Sequence, residues 1–425
     1  MARAMTITEK ILAQAAGLQE VVPGQMITAK VGLVYTMDFQ GKAVLGHLKA
    51  VGATKVFDRN KVVVIFDHNT PAPNVDYANL QTHVRKLAKE FDLPLYDVGR
   101  QGIMHQVVAE EGYLVPGIIA VGTDSHALTG GALGAVVLGM GATDAAMAMA
   151  TGETWLRVPA SVRVELRGTL PKGTMSRDIM AYFLGQKGWD GTKAEWAYQA
   201  VELTGTTIHN MSMDSRFALC NMASDAGAKN AIVPPDETTK KYVEGRARSQ
   251  PLFLHSDEDA EYVEKITLDI SKMEPQVACP HSPDNVVPLS KIVGTKISVA
   301  TVSSCSNGRL EDLHVAAQIL KGRKVHPEVR MIVSPASQKI YGEALEDGTL
   351  STLLKAGVLI GHSTCGPCNG GQLVVLGDGE VLIGSVPRNM RGRLGSLNSE
   401  IYTANPAVVA ASAIRGVISD PKEFL

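Results

Sequence analysis

Two of the five cysteines lie three positions apart, in the glycine-rich segment "STCGPCNGG" at residues 363–371. Cys365 and Cys368 can direct both sulfurs to one metal from a tight turn, and Cys305 lies in a similar loop, "SSCSNGR". The spacing leaves two metal sites open. With His362 as fourth ligand, the three cysteines would form a tetrahedral zinc site. Without it, they would bind three irons of a [4Fe–4S] cluster and leave one iron open to substrate.

The other two cysteines have no such context, because Cys220 lies in "RFALCNMAS" and Cys279 in a proline-rich stretch. An odd, thinly spread number of cysteines does not make a disulfide framework, so we expect a reducing, cytoplasmic compartment. The formal net charge of −2 argues against a nucleic-acid or anionic membrane surface. The N-terminal segment carries charges and no apolar core, so it is not predicted to be a secretory signal.

Histidines paired with carboxylates form a second group of residues that could do chemistry. Asp67 and His68 close the apolar run "VVVIFDH", His105 lies in "GIMHQ", and Asp124 precedes His126 in "GTDSH". A carboxylate beside a histidine fixes the tautomer and adjusts the pKa of the ring, which suits proton transfer near neutral pH. Each histidine alone is more typical of a hydrogen-bonded structural residue.

Three arginines follow another apolar run, in "SVPRNMRGRLG". The planar guanidinium grips carboxylates with two hydrogen bonds, so Arg388 and Arg393 predict a di- or tricarboxylate ligand, whereas Arg391 fits a solvated loop. An open metal site, histidine–carboxylate pairs and arginines together suit reversible elimination of water from a hydroxy acid.

These residues share one structural context, since each group follows a short apolar run and lies in a polar, glycine-rich corner. Continuous Val/Ile runs predict strands covered on both faces, and such α/β sheets bind ligands beyond the carboxyl ends of their strands. We also predict a capped helix in "TITEKILAQAAG" and a packed helix or turn over residues 131–150. The sequence changes in character after residues 152–161 and within the proline-rich residues 274–294. These two junctions predict three domains, at residues 1–158, 159–286 and 287–425.

Seven motifs in order resemble the aconitase superfamily: "FDHNTPAPN", "GIMHQ", "GTDSHALTGGALG", "CNMASDAGA", "SSCSNGRLEDL", "TCGPCNGG" and "PRNMRGRLG". Within it the chain is most similar to the large subunits of 3-isopropylmalate dehydratase and homoaconitase. The resemblance implies an α/β fold of three α/β/α domains around a [4Fe–4S] cluster, one per chain. It implies a hydro-lyase acting on a hydroxy di- or tricarboxylate, with 3-isopropylmalate first and homoaconitase, citramalate or 2,3-dimethylmalate chemistry as alternatives. A zinc-bearing or RNA-binding protein without enzymatic activity is the alternative from another class.

The resemblance also implies a role for each matching residue. The cluster ligands would be Cys305, Cys365 and Cys368, and the substrate carboxylates would be bound by Arg388 and Arg393. Proton transfer and water binding would be the role of Asp67, His68, His105, Asp124, His126 and Asp225. The asparagines that orient groups near the cluster would be Asn221 and Asn307.

The chain departs from the family pattern at four places that bear on the substrate. The cluster turn "CGPCNGG" is nearer the aconitase pattern, and "SSCSNGR" stands where "GSCTNGR" is usual. Asp225 stands where a glutamate is usual, and "VYTMDFQGKAV" replaces the usual His-Asp step. The family's catalytic serine belongs to a "GSSRE"-like segment of a fourth, swivelling domain, which we do not find here. We therefore expect a separate small subunit that carries this domain and the serine.

Overall fold

The computed structural model describes residues 3–188 and 195–425. Within these residues, no helix combines the length and the apolar character that a membrane crossing requires. The strands are β1 (Met26–Lys30), β2 (Leu33–Met37), β3 (Val62–Ile65), β4 (Leu95–Tyr96), β5 (Ile119–Gly122), β6 (Val136–Gly139), β7 (Glu153–Arg157), β8 (Ser161–Arg167), β9 (Ala200–Thr204), β10 (Asn230–Ile232), β11 (Glu264–Asp269), β12 (Gln276–Ala278), β13 (Val286–Pro288), β14 (Val299–Val302), β15 (Arg330–Val333), β16 (Leu359–Ile360), β17 (Val381–Gly384) and β18 (Glu400–Thr403).

Helices alternate with these strands along much of the chain. They are α1 (Ile7–Ala16), α2 (Asp38–Ala50), α3 (Val75–Glu90), α4 (Met104–Glu110), α5 (Ala142–Thr151), α6 (Ser176–Lys187), α7 (Thr206–His209), α8 (Met213–Met222), α9 (Glu237–Val243), α10 (Leu310–Leu320), α11 (Gln338–Glu346), α12 (Thr349–Ala356), α13 (Gly366–Asn369) and α14 (Pro406–Arg415). Short 3-10 turns occupy Arg59–Lys61, Ser125–Leu133, Leu289–Lys291 and Pro421–Glu423.

The first sheet is parallel, with strand order β4-β3-β2-β5-β6. Its strands are buried on both faces, as their continuous apolar sequences predict. On one face Val34 and Val64 pack against helices α2, α3 and α5. On the other, Leu33 and Tyr35 share a core with α4 and with the second sheet.

The second sheet has four parallel strands in the order β10-β9-β8-β11. The third has seven strands in the order β13-β12-β18-β17-β14-β15-β16, and only the pairs that involve β12 are antiparallel. Helices α10 and α14 cover this sheet, and the core that they form includes the three cysteines of the predicted metal site.

The first and third sheets meet where their strands end. The backbone N–H of Cys365 donates to the carbonyl of Asp67 at 2.7 Å, and the N–H of Ile103 donates to the carbonyl of Ala336 at 2.7 Å. Loops that are more than 200 positions apart in the chain are thereby held against one another. The polar loops that follow the strands of both sheets are in this way brought to one junction, which we call the cleft.

The predicted α/β class is confirmed, and so is the N-terminal helix. Thr6 caps α1 and forms a reciprocal capping box with Glu9, while Gly17 ends it with a left-handed backbone at φ 69°. Residues 131–150 are only partly as expected, because strand β6 lies between a 3-10 turn and α5. The apolar run of β6 joins the parallel sheet, whereas the alanine-rich part of the segment forms α5, which buries Ala145, Ala146 and Ala148. The domain limits stay a prediction; the third sheet takes in strands from Gln276 onward.

Candidate active site

The three cysteines that follow strands of the third sheet converge. Cys305 comes three residues after β14. After β16, Cys365 directly precedes the short helix α13, and Cys368 lies within it. Their exposed fractions are 3%, 6% and 2%, and none of them forms a disulfide. The Cys365 thiol is hydrogen-bonded to the Cys368 sulfur, and Cys305 lies close enough to Cys368 for the charge of one to affect the other.

The electrostatics of the three sulfurs show one site rather than three separate thiols. Hydrogen bonding from Cys365, with help from the Arg393 guanidinium, lowers the pKa of Cys368 below its usual value. Burial, and then the negative charge of Cys368, raise the pKa of Cys305. Three buried sulfurs that interact in this way are suited to act together as soft ligands of one metal site.

The backbone conformation next to the cysteines sets the direction of their side chains. Ser304, directly before Cys305, has φ of 87°, which is strained for a residue with a side chain, and its fully buried hydroxyl is bonded to Ser306 at 2.9 Å. After Cys368 the chain turns at Gly370, with φ of 70°. A side chain at Gly371 would collide with the carboxamide oxygen of Asn69, which explains the paired glycines of the motif.

Asp67 and His68 lie at the end of β3, against the cysteine turn. His68 Nδ1 is 2.6 Å from Asp67 Oδ1, which leaves Nε2 directed toward Asp124 at 3.9 Å. Burial lowers the pKa of His68, but the Asp67 carboxylate outweighs it and the pKa rises to about 10. At neutral pH the ring is therefore an imidazolium that can donate a proton from Nε2.

Asp38, at the start of α2, holds this pair in place. Its carboxylate accepts the backbone N–H groups of His68 at 3.2 Å and Asn69 at 2.9 Å. Asp38, Asp67 and His68 offer ligand atoms within 4.8 Å of one another, a spacing that a metal ion could use. Since their atoms already accept or donate these hydrogen bonds, we interpret the group as a hydrogen-bonded cluster.

The remaining histidines and carboxylates form a continuous chain across the cleft. His105 Nε2 lies 3.0 Å from Asp124 Oδ1, and the His126 backbone N–H donates to the same oxygen at 2.8 Å. His126 Nε2 in turn lies 3.3 Å from Asp225 Oδ2, to which Arg388 Nε donates at 2.7 Å through the other oxygen. Asp225 thus reaches His126 directly although it is one methylene shorter than the usual glutamate.

Charge alternates along this chain. Burial by itself would raise the pKa of Asp225. Arg388 and then His126 have the larger, opposite effect and bring this pKa down to about 2. Burial lowers the pKa of His126, yet Asp225 brings it up to about 9. Burial by itself would raise the pKa of Asp124, but hydrogen bonds from both histidines lower it well below the usual value. Each buried charge therefore has a partner of opposite sign.

The two predicted substrate arginines differ in their surroundings. Arg388 also donates through one terminal nitrogen to Ser125 at 3.0 Å, and its side chain is 19% exposed. Arg393 donates from Nε to the Cys368 carbonyl at 2.9 Å and lies 3.8 Å from the Cys368 sulfur. The structure therefore places Arg393 beside the cysteine turn as well as beside the cleft.

Asn221 and Asn307 are buried and lie near Cys305. The Asn221 amide contacts the Cys305 sulfur and donates to Thr129 at 2.8 Å. Asn307 donates to Asp312 at 2.9 Å. His362, the fourth ligand of the zinc alternative, is bonded through Nε2 to Gln372 at 2.7 Å.

Two buried arginines were missed by the sequence analysis. Arg177, on α6, donates to Ser306 at 3.1 Å and to the carbonyls of Ser385 at 3.1 Å and Val386 at 2.8 Å. It thereby joins the loop of Cys305 to the loop of Arg388. Arg309 donates to the Cys305 carbonyl at 2.9 Å and to Gln106 at 2.9 Å. No local pattern signals such contacts, because the partners are far apart in sequence.

The residues present fit an iron–sulfur cluster. Three buried sulfurs supply soft ligands, and Arg393 supplies a positive charge beside them. Among the described residues, the buried carboxamide oxygens of Asn69 and Asn221 have no hydrogen-bond donor, and both flank the cysteine pocket. Such unpaired oxygens indicate that the pocket is built around a polar group that is not part of the chain.

Comparison with known proteins extends over almost the whole chain. Residues 9–416 match the aconitase family (aconitate hydratase). The chain is 46% identical over 422 residues to the 3-isopropylmalate dehydratase large subunit of Moorella thermoacetica, with 99% of each protein covered. It is 45% identical over 423 residues to the probable methanogen homoaconitase large subunit of Methanothermobacter thermautotrophicus, covering 99% of this chain and 98% of the relative.

Among solved structures, the crystal structure of Thermococcus kodakaraensis aconitase X in its holo-form is similar in fold. The TM-score is 0.51 at 13% sequence identity, with 85% of this chain and 84% of the other covered. This likeness supports the arrangement of the α/β units and carries no information on substrate.

Proposed function

Because this chain belongs to the aconitase family, we propose that it is the cluster-bearing subunit of a hydro-lyase that removes and adds water at a hydroxy di- or tricarboxylic acid. The resemblance predicted from the motifs is confirmed. The observation that carries the proposal is the convergence of three buried cysteines with the histidine–carboxylate chain at one cleft.

An iron–sulfur cluster is a general property of the family, and we propose that this one is [4Fe–4S], held by Cys305, Cys365 and Cys368. When bound, it would supply a Lewis-acid iron that polarises the substrate hydroxyl. The chain's own part is to keep the three sulfurs within one buried pocket and to neutralise their charge with Arg393.

His68 is the group we assign to proton donation. Asp67 holds Nδ1 at 2.6 Å and keeps the ring charged, so the proton available at Nε2 can pass to a leaving hydroxyl in the cleft. His105, Asp124 and His126 would orient the released water through their mutual hydrogen bonds. Arg388 would bind a substrate carboxylate, and Asp225 holds its guanidinium at 2.7 Å.

The relatives are named large subunits, so we propose a small-subunit partner that brings the swivelling domain and the catalytic serine. No nucleic acid or membrane takes part in this function. The thiols it depends on are free, which suits a reducing cytoplasmic compartment.

For the substrate we propose 3-isopropylmalate first, because the relative with 46% identity is named for its dehydratase. A tricarboxylic substrate of the homoaconitase type is the second candidate, since the methanogen relative is 45% identical. Citramalate and 2,3-dimethylmalate belong to the same chemical class as the first.

Anaerobic reconstitution tests the proposal. The chain with iron, sulfide and a small subunit should turn brown. When 3-isopropylmalate is added, it should lose water to form an unsaturated acid, detected by its ultraviolet absorbance. A Cys220→Ser variant, altered at a buried thiol outside the pocket, should behave like the parent. A colourless protein that binds zinc stoichiometrically and forms no product would contradict the proposal.

A further inference from the structure

An exposed aromatic side chain stands beside the proposed proton donor. The Phe39 ring is 5.0 Å from the His68 ring, centre to centre, at an interplanar angle of 74°. His68 itself is nearly buried, with 11% of its side chain accessible, whereas Phe39 is 37% exposed. Phe39 therefore presents apolar surface directly beside the accessible part of His68.

The fold does not require an apolar residue at this position. Helix α2 buries one stripe, formed by Asp38, Gly41, Val44, Leu45 and Leu48 at helical spacing. Phe39 lies off that stripe, and its neighbours one turn on, at positions 42 and 43, are exposed. Singly exposed apolar side chains are common on protein surfaces, so the distinguishing feature of Phe39 is its contact with the ring of the proposed proton donor.

The contacts across the cleft give it two chemically different ends. From Phe39 the contacts run to His68, then to Asp124 and His126, and end at Asp225 with Arg388. One end is a hydrocarbon ring and the other a guanidinium. A ligand that spans them would place a carboxylate at Arg388 and an uncharged group at Phe39, because a carboxylate packed on the ring would lose water without gaining a hydrogen bond.

We propose that Phe39 is a specificity-determining residue that packs against an alkyl branch of the substrate, next to the carbon that carries the leaving hydroxyl. The chain then selects alkyl-branched hydroxy dicarboxylic acids and rejects tricarboxylic acids with a charged group at that place. This inference rests on the proposed function and deepens it.

The test compares kcat/KM of the reconstituted two-subunit enzyme for malates bearing methyl, ethyl or isopropyl groups and for a tricarboxylic hydroxy acid of similar size. Phe39→Ala should lower the preference for the isopropyl over the tricarboxylic acid by roughly 10- to 200-fold, the range of one lost apolar contact. Phe39→Leu should retain most of the preference. Val51→Ala is the control, since Val51 is 56% exposed at the other end of α2, about 18 Å along the axis.

Other outcomes overturn the inference. An equal loss for every acid would mean that Phe39 only positions His68. Unchanged selectivity with a weaker affinity for the small subunit, measured by titration, would make Phe39 an interface residue. If the parent enzyme holds its cluster but turns over none of these acids, the proposed function fails and this inference fails with it.

Discussion

Replacing Arg177 by methionine should weaken the hydrogen bonds that support the loop of Cys305 in the proposed cluster site. Arg177 is 1% exposed, and it is the hydrogen-bond donor to the Val386 carbonyl at 2.8 Å and to the Asn307 carboxamide oxygen at 3.4 Å. Methionine fills similar space and donates nothing, so both acceptors would stay buried and unsatisfied. At about 1–3 kcal/mol for each acceptor, folding should weaken by about 2–6 kcal/mol.

Arg216→Met provides the matched control. Arg216 is also fully buried and donates to both oxygens of Asp236 at 2.7 Å, but its hydrogen-bond partners lie outside the loops that carry the three cysteines. It should lose at least as much stability, because the partly buried Asp236 carboxylate loses the guanidinium that binds both of its oxygens. A general loss of stability and a specific loss of cluster binding are therefore separable.

Two measurements are needed on each variant. Denaturant unfolding of the cluster-free chain gives the change in folding free energy, and the decay of visible absorbance with a chelator gives the rate of cluster loss. We expect both variants to unfold at lower denaturant and only Arg177→Met to lose its cluster faster. Equal rates of cluster loss in the two variants would refute the role assigned to Arg177.

Three further predictions follow from single residues. Cys365→Ser should abolish the visible absorbance and the turnover, whereas Cys220→Ser keeps both; a brown, active Cys365→Ser protein would remove this residue from the ligand set. Burial lowers the pKa of His68 but Asp67 raises it to about 10, so kcat/KM for dehydration should fall only as pH rises through about 10. In Asp67→Asn the fall should move to lower pH, and an unshifted profile would contradict the assignment. Asp178→Asn should destabilise the chain by about 1–3 kcal/mol in denaturant unfolding, because both carboxylate oxygens accept from donors that an amide nitrogen would oppose; a stability equal to the parent's would refute this.

The strand-end position of the reactive residues was predictable from sequence. Continuous apolar runs indicated buried parallel strands, and the polar corners after them had to lie at one edge of a sheet. This is how the third sheet brings Cys305 and Cys365 together, and how the first sheet presents Asp67 and Asp124. The α/β class followed from the same pattern.

What the sequence did not indicate are the contacts that support the site from a distance. Arg177 reaches Ser306 across 129 positions, and Asp38 reaches the backbone of His68 across 30. Such pairs depend on how elements pack in three dimensions, and nothing in the local sequence around Arg177 or Asp38 signals these contacts. The contact of Phe39 with His68 was missed for the same reason.

Mössbauer spectroscopy of the reconstituted chain, with and without the hydroxy acid, tests the central claim most directly. If three cysteines hold the cluster, three irons should keep their spectra when the acid is added and the fourth should change. If all four irons show sulfur-ligated spectra that do not change when the acid is added, the account is contradicted.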